Sequence, residues 1–582
     1  MIPVQQAHAG GVEYTGQGAM ALARGGAVAA RAEDPMVIAH NPAGLVELRG
    51  QQFLLNVNLA LFDACVDPIG FYGWGNYLGG QPAEIPDPEG GEPQALPLSQ
   101  TVTGDDGQTI ADPRATEYYY DELDTVCLQQ NVIPIPQMAW TMRVSERFGI
   151  GFGLIFPAAQ PSGQWGGEYG VIRGDDGDLR PSPVRYMGVK SATLGVFPNL
   201  AFGYRFNDMI RAGLSLEWGI IAANVFTMAG AIGGTTPAND ILALVKAQDF
   251  FIPAFTTSVH LVPDDALDVV LAFRFQDDVN AKGDVDLTTG IFDPASQTHT
   301  TSNIPITSLK QSMPWKLRAG VRYADRFAPR PVGTGEDEPD LSSPEVIHDP
   351  LQDERWDVEL DVEYQLNGRN QEQEVEYELG NQVVFVPTDP TMEPAGTDFP
   401  NASVPSTIVQ KHWKDQVSVR LGGTYNVMPG QLGVSAGVHY ENRGIDPAYM
   451  QTDFWPVARV GLHGGLLMRV AKRIDLVVAY AHIFQETITT SAPFHATRDQ
   501  IGLARNETGT VQNIDKTVGV LVDRAGTGTE VLVEDPPAAA DGEARLEQNL
   551  SRSPTEQPPY IINSGTYRSS FDILAVGLNI HF

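Results

Sequence analysis

Apolar and polar residues alternate with a period of two along much of the chain, the mark of strands with one apolar and one polar face. Fourteen such runs lie near 52–61, 133–143, 146–156, 191–206, 208–220, 251–262, 266–276, 306–323, 354–364, 414–426, 431–440, 458–470, 473–485 and 570–582. Most are about the length that a tilted strand needs to cross a bilayer. The connections between them alternate between long and short. Ser145-Glu146, Asn207, Pro263-Asp264-Asp265, Met428-Pro429-Gly430 and Lys472 are short. Residues 62–132, 157–190, 221–250, 277–305, 365–413, 441–457 and 486–569 are the long connections, and all fall at one end. A soluble sandwich has no reason to sort its loops in this way, whereas an outer-membrane barrel does. The pattern therefore predicts an all-β fold, a 14-stranded antiparallel transmembrane β-barrel over 51–582. One connection, the acidic, Pro-rich 324–353, is long yet falls by parity on the short-turn side.

The strand faces fit a bilayer outside and water inside. Trp315, Leu317, Ala319, Val321 and Tyr323 form an apolar stripe with an aromatic at each end, and Lys316, Arg318, Gly320 and Arg322 alternate with them. The next strand sets Trp356, Val358, Leu360, Val362 and Tyr364 against Asp357, Glu359, Asp361 and Glu363. Aromatics at both ends of an apolar stripe suit two lipid interfaces. As antiparallel neighbours, the two strands would set three bases against four acids in the lumen, at roughly 0.2–1 kcal/mol per pair. Such a ladder would stiffen the wall; some of its bases could instead attract an anionic headgroup.

Composition narrows the function. The 582 residues hold 38 Lys+Arg against 72 Asp+Glu, a net charge of −34, so phosphate-directed nucleic-acid binding is excluded. No apolar run is long enough for a membrane helix, which leaves a barrel untouched as a possibility. The eleven histidines contain no His-Glu-x-x-His, and Gly16-x-Gly18 does not follow a strand, so no metal or nucleotide cofactor is implied and the chain is read as a non-enzyme. Acidic clusters at Asp105-Asp106, at Asp175, Asp176 and Asp178, and at 335–340 read as a solvated, divalent-bridged surface rather than an EF-hand.

The segment before the first strand differs in kind. Ala7-His8-Ala9 has the small-x-small form of a signal-peptidase site, so residues 1–9 read as the tail of a signal peptide. Residues 10–50 are rich in Gly and Ala, with Gly16-Gln17-Gly18-Ala19, Arg24-Gly25-Gly26-Ala27, Ala32-Glu33-Asp34-Pro35 and His40-Asn41-Pro42-Ala43-Gly44-Leu45. This stretch resembles the N-terminal hatch of the FadL/TodX family, outer-membrane transporters of long-chain fatty acids and related hydrophobic compounds. Phe197-Pro198-Asn199-Leu200-Ala201-Phe202-Gly203-Tyr204, Val419-Arg420-Leu421-Gly422-Gly423-Thr424-Tyr425 and the final Tyr567…Phe582 are similar to strands of that family. The resemblance implies a barrel plugged by its hatch in the outer membrane of a Gram-negative bacterium. The implied partners are a hydrophobic small molecule, outer-membrane lipid and lipopolysaccharide, and the barrel assembly machinery.

It also implies sites. Asn41, Pro42 and Ala43 would border an internal ligand pocket. The third external connection would hold a short helix capped by Asn239, with Ile241, Leu242, Leu244, Val245, Phe250 and Phe251 as a capture groove, or as a face packed onto the rim. The inward bases Arg211, Lys316, Arg318 and Arg420 are candidates for a carboxylate. Gly149, Gly151 and Gly153, with Pro157, would either kink the third strand into a lateral opening or ease packing against the hatch. Cys65 and Cys127, both placed in the first external loop, would form a disulfide in an oxidising compartment. The expected function is passive uptake of long-chain fatty acids or a similar hydrophobic molecule. Uptake of aromatic or alkyl hydrocarbons, and a surface adhesion barrel acting through its loops, are the alternatives.

Overall fold

Every one of the fourteen runs forms a strand, and the strands pair in chain order into one closed antiparallel barrel in the computed structural model. The structure describes residues 17–68, 77–78, 81–82, 84–85, 94–95, 101–103, 109–111, 123–130, 132–156, 163–167, 169–174, 177, 179–230, 240–289, 300–327, 349–378, 382–383, 402–403, 407–490 and 565–582. The first six strands are β1 (Gln51–Pro68), β2 (Ile133–Ser145), β3 (Phe148–Ile155), β4 (Lys190–Arg205), β5 (Ile210–Gly230) and β6 (Asp240–Leu261). The next four are each broken once. β7 runs as Leu267–Gln276 then Val279–Thr289, and β8 as Thr300–Gln311 then Lys316–Arg326. β9 runs as Glu354–Gln365 then Glu372–Tyr377, and β10 as Thr407–Gln410 then Gln416–Met428. β11 (Leu432–Glu441), β12 (Arg459–Ala471), β13 (Ile474–Gln485) and β14 (Gly565–His581) complete the wall. β14 pairs with β1 from Gln52–His581 to Pro68–Gly565, which leaves the sheet without a free edge.

The alternation sorts as expected. Leu317, Val321, Val358, Leu360, Val362, Val419, Leu421, Leu574 and Val576 all lie exposed on the outside. One ring of exposed aromatics, Tyr204, Tyr323, Trp356 and Tyr425, sits near the short turns, and a second, Trp218, Tyr364, Tyr440 and Phe484, sits a strand-length away. So much outward apolar surface needs a non-aqueous neighbour.

Two expectations change. The connection 221–250 holds no helix in its described part. Residues 221–230 and 240–250 continue β5 and β6 as a paired hairpin, with Val225 opposite Val245 and Ala229 opposite Ile241. Residues 279–289 and 300–311 likewise extend β7 and β8 through the expected loop 277–305, and 372–377 and 407–410 do so within 365–413. Gly433-Val434-Ser435-Ala436-Gly437 has the Gly-x-Ser-x-Gly spacing of hydrolase nucleophile elbows. It lies inside β11, not at a strand-to-helix turn. Ser435 Oγ is buried and shares a 2.9 Å hydrogen bond with Thr424 Oγ1. The acidic clusters at 105–106, at 175, 176 and 178 and at 335–340 lie outside the described residues.

Candidate functional site

The lumen is filled by the segment before β1. It forms α1 (Ala19–Ala23), α2 (Val37–His40) and a 3-10 turn (Pro42–Glu47), nearly all of it buried. Short helices of small residues are marginal on their own, so the wall must hold them in place. It does so in two ways.

The first is a charge clasp on β9. Asp357 accepts from Arg24 (2.7 and 2.9 Å), from Arg31 Nη1 (2.6 Å) and from Arg322 Nε of β8 (2.9 Å). Glu359 takes the Ala30 amide at 2.6 Å, and Asp361 takes the amides of Val28 and Ala29 at 3.2 and 3.0 Å. The inward acids therefore outnumber the facing bases because the hatch supplies the remaining donors. A wall-only ladder was too simple a picture.

The second is close approach. Gly149, Gly151 and Gly153 face the hatch: a Cβ there would lie 2.8 Å from Leu45 O, 2.6 Å from Ile38 Cγ2 and 2.5 Å from Ile38 Cδ1. A Cβ on Gly213 would run into the Pro42–Ala43 backbone. The three strand glycines thus make room for the hatch, and β3 pairs with β2 over Phe148–Leu154 and with β4 over Phe148–Ile155. Pro157 lies outside the described residues.

Asn41, Pro42 and Ala43 are fully buried where the hatch meets β4–β6. Asn41 Nδ2 donates to Ala29 O at 2.8 Å and lies 3.4 Å from His260 Nδ1, and His260 Nε2 is 2.9 Å from Asp268. With Nδ1 accepting from Asn41, the His260 Nε2–H donates a hydrogen bond to the Asp268 carboxylate. Asp268 in turn meets Arg322 at 3.4 Å, so the Asn-Pro-Ala element and the clasp belong to one polar network. The Ala43 amide donates to Ser258 Oγ at 2.9 Å.

The four candidate bases are all engaged. Arg211 pairs with Glu47 of the hatch and donates to Asp208 O at 2.9 Å. Arg318 and Arg420 converge on Glu363 from both sides, at 2.7 and 2.9 Å. Lys316 is buried and also has a partner.

Of the expected groove residues, Ile241 and Val245 share one strand face, with Ala243 between them. Val245 stands opposite Val285, which stands opposite Ile304. With Ile306, Leu309 and Val375 this makes an aliphatic patch beyond the break in β7–β10. The other face carries Leu242 and Leu244 beside charged Lys246, which pairs with Asp286 at 2.6 Å. Phe250 and Phe251 leave the proposed groove altogether. They are exposed at the bulge opposite Gly219–Ile221, where Trp218 Nε1 donates to Phe250 O at 2.6 Å. They belong to the outer aromatic ring, because the bulge shifts the alternation by one residue.

At the long-loop end, aromatics close the lumen. Phe62 stacks on Phe571 at 4.3 Å, and Trp455 lies 5.8 Å from Phe62, 6.0 Å from Trp165 and 5.4 Å from Tyr567. Trp455 and its buried neighbours Phe454 and Met450 come from the connection 442–458, which folds inward. These residues escaped sequence reasoning because loop residues carry no period. Cys65 and Cys127 are disulfide-bonded. Cys65 lies on β1, not in a loop, and Cys127 is its paired neighbour on the adjoining segment 126–127.

One wall feature remains. β3 ends at Ile155, opposite Phe197. The next described rungs are Gln129–Gln164 and Gln130–Gly163, then Gly163–Ser191 and Gln164–Lys190. Between these levels, 133–137 of β2 and 192–196 of β4 share no described strand.

A plugged fourteen-strand barrel of this outline has solved counterparts. A Pseudomonas aeruginosa FadL homologue aligns over 98% of this chain and 100% of its own, at 12% identity and a TM-score of 0.57. The Pseudomonas putida toluene transporter TodX aligns over 98% and 100%, at 10% identity and a TM-score of 0.54. The chain has the FadL-type fold. No family model and no curated protein matches the sequence. At such identity the likeness speaks for the FadL-type architecture alone, and the function must come from this chain's own residues.

Proposed function

We propose that this barrel resides in the outer membrane of a Gram-negative bacterium and mediates passive uptake of hydrophobic small molecules. The observation that carries the reading is a lumen stoppered by the hatch beneath apolar clusters at the long-loop end. A solute is captured by apolar surface at the long-loop end, where the aliphatic patch around Val245 and Val285 and the aromatic cluster around Trp455 stand. It passes between these clusters towards the hatch beside Asn41, Pro42 and Ala43, then leaves sideways into the bilayer through the wall beyond β3. The described clusters at the entrance are apolar, so the solute sheds water there and needs no coupled energy source. The hatch keeps the wide barrel from leaking water-soluble compounds.

The substrate class turns on the inward bases. A long-chain fatty acid would need a partner for its carboxylate, and it would have to displace Glu363 from Arg318 or Arg420, or Glu47 from Arg211. A neutral aromatic or alkyl hydrocarbon needs no such exchange. The engaged bases favour the neutral class, as do the aromatic cluster and the toluene transporter among the solved relatives.

The test is uptake of labelled oleate and labelled toluene by cells lacking their own transporters, with insertion checked by heat-modifiable mobility. Uptake of either above control supports the transport reading, and toluene without oleate supports the neutral class. A correctly inserted barrel that carries neither overturns it in favour of a loop-centred binding role. Deleting the described loop segment 442–458 would then abolish surface binding.

A further inference from the structure

The long connection on the short-turn side ends by re-entering the barrel mouth. α3 (Pro350–Asp353) is a single turn begun by Asp349, whose Oδ1 accepts the Leu351 amide at 3.2 Å. Asp349 Oδ2 meets Arg49 at 2.8 Å and Arg469 at 2.6 Å. Arg49 lies at the junction of hatch and β1, and Arg469 lies near the end of β12, so one carboxylate ties together three segments that are distant in sequence. Arg469 also grips Asp475 at 2.8 and 3.0 Å, and Asp475 takes His581 at 2.9 Å. Leu351 is only 2% exposed and sits in the same apolar core as Met20 and Leu22 of the hatch and Leu467 and Val477 of the wall. Its backbone is held as well. The Gly430 amide donates to Leu351 O at 2.9 Å, and Asn426 Nδ2 donates to Pro350 O and Glu354 O at 2.7 and 2.8 Å.

Between this turn and the underside of the hatch lies a partly open pocket of about 40 Å³, bounded by Met20, Asp34, Glu47, Arg49, Leu351 and Asp475 among others. By size it has room for about three waters and none for a hydrophobic solute.

We propose that residues 349–353 are a second closure of the barrel, a clasp that seals the short-turn mouth beneath the hatch. Leu351 is the stopper, and Asp349 is the catch that holds it against Arg49 and Arg469. A buried leucine under a plug, pinned by one carboxylate to two arginines, has no role in completing the wall, because the β8–β9 ladder is already formed from Arg326 and Glu354 onwards. The clasp also makes the way straight down the lumen a dead end, so that a solute must leave through the wall; this consequence alone rests on the transport reading above.

The sealing is tested without any transport assay. Met20→Cys places one thiol in the cavity of a protein whose two native cysteines are already joined. The purified, barrel-folded protein is treated with a small cationic methanethiosulfonate and the labelling rate is followed by mass. The parent should react slowly. Asp349→Asn, which keeps the shape and removes the catch, and Leu351→Ala, which keeps the catch and removes the stopper, should each react at least tenfold faster, with heat-modifiable mobility unchanged. A parent that labels as fast as both variants, or variants that both label as slowly as the parent, overturns the clasp. If one variant fails to fold, the other decides. A parent that labels as fast as its variants, with normal uptake, refutes the clasp and leaves the transport reading intact; a slow parent with faster variants but no uptake leaves the clasp standing and refutes the transport reading.

Discussion

Replacing Asp357 by Ala should free the hatch without unfolding the barrel. In the native protein this carboxylate receives four bonds from Arg24, Arg31 and Arg322, and the Thr424 amide at 3.1 Å besides. Its removal strands buried guanidinium groups, and breaking a buried pair from one side costs about 3–5 kcal/mol. At 1.4 kcal/mol per decade, the undocked hatch should become more populated by about a hundredfold to several thousandfold. Asp361→Ala is the internal comparison. That residue holds the hatch through two backbone amides only, so leaving them unpaired should cost about 1–3 kcal/mol. Trypsin reads the difference directly, because Arg24 and Arg31 are buried when docked and become cleavable when released. With reclosing faster than cleavage, the rate of cutting at these two sites follows the open population. Heat-modifiable mobility reports on the barrel in the same samples. Cleavage within threefold of wild type for Asp357→Ala, or an equal effect of both substitutions, would refute the assignment of Asp357 as the centre of the seat.

Gly213→Val should also loosen the hatch, since its side chain would occupy the Pro42–Ala43 backbone; faster tryptic cutting after Arg31 in a barrel of normal mobility is the expected result. Cys65→Ser removes a crosslink spanning 62 residues, worth roughly 4 kcal/mol at most on loop-entropy grounds, and should lower the urea midpoint of unfolding while leaving the hatch protease-resistant. The Asp34 carboxyl is pushed up to about 7, by burial first and the neighbouring Glu33 charge second. A folded-state pKa above the free value of about 3.9 means that docking is strongest in acid and weakens as pH rises from about 4 to about 7, then levels off. Hatch cleavage by a protease active across that range should show this slope, and Asp34→Asn should flatten it.

The strands were legible because a barrel wall imposes the same alternation on every residue it contains: Val358 must face lipid and Glu359 must not. The broken upper halves of β7–β10 were not legible. Beyond the second aromatic ring both faces of the sheet meet water or loops, and Lys246, Asp284 and Asp286 no longer report a side. The helix expected at 241–246 fails for a related reason. Ile241, Leu244 and Val245 fit a helical face, but Val245 has ladder partners on both sides, and tertiary pairing overrides so short a pattern. At the site, the residues of the Asn-Pro-Ala element and the glycines of β3 could be picked out, since small or rigid residues stand where the backbone is crowded. Their connection to Asp357 could not, although four acids facing three bases was a trace of it. Nothing local marks Leu351 as a stopper, because its partners come from the hatch, β12 and β13.

The seating of the hatch also orders events in time. Arg24 meets Asp357 across 333 residues and Thr424 across 400, and Leu22 O meets His463 across 441. The hatch, made before the wall, is therefore the last segment to find its place. Until β9, β10 and β12 exist there is nothing for the plug to grip, so the nascent barrel passes through an unstoppered stage. A mutation that weakens the seat would prolong this unstoppered stage as well as loosen the finished plug.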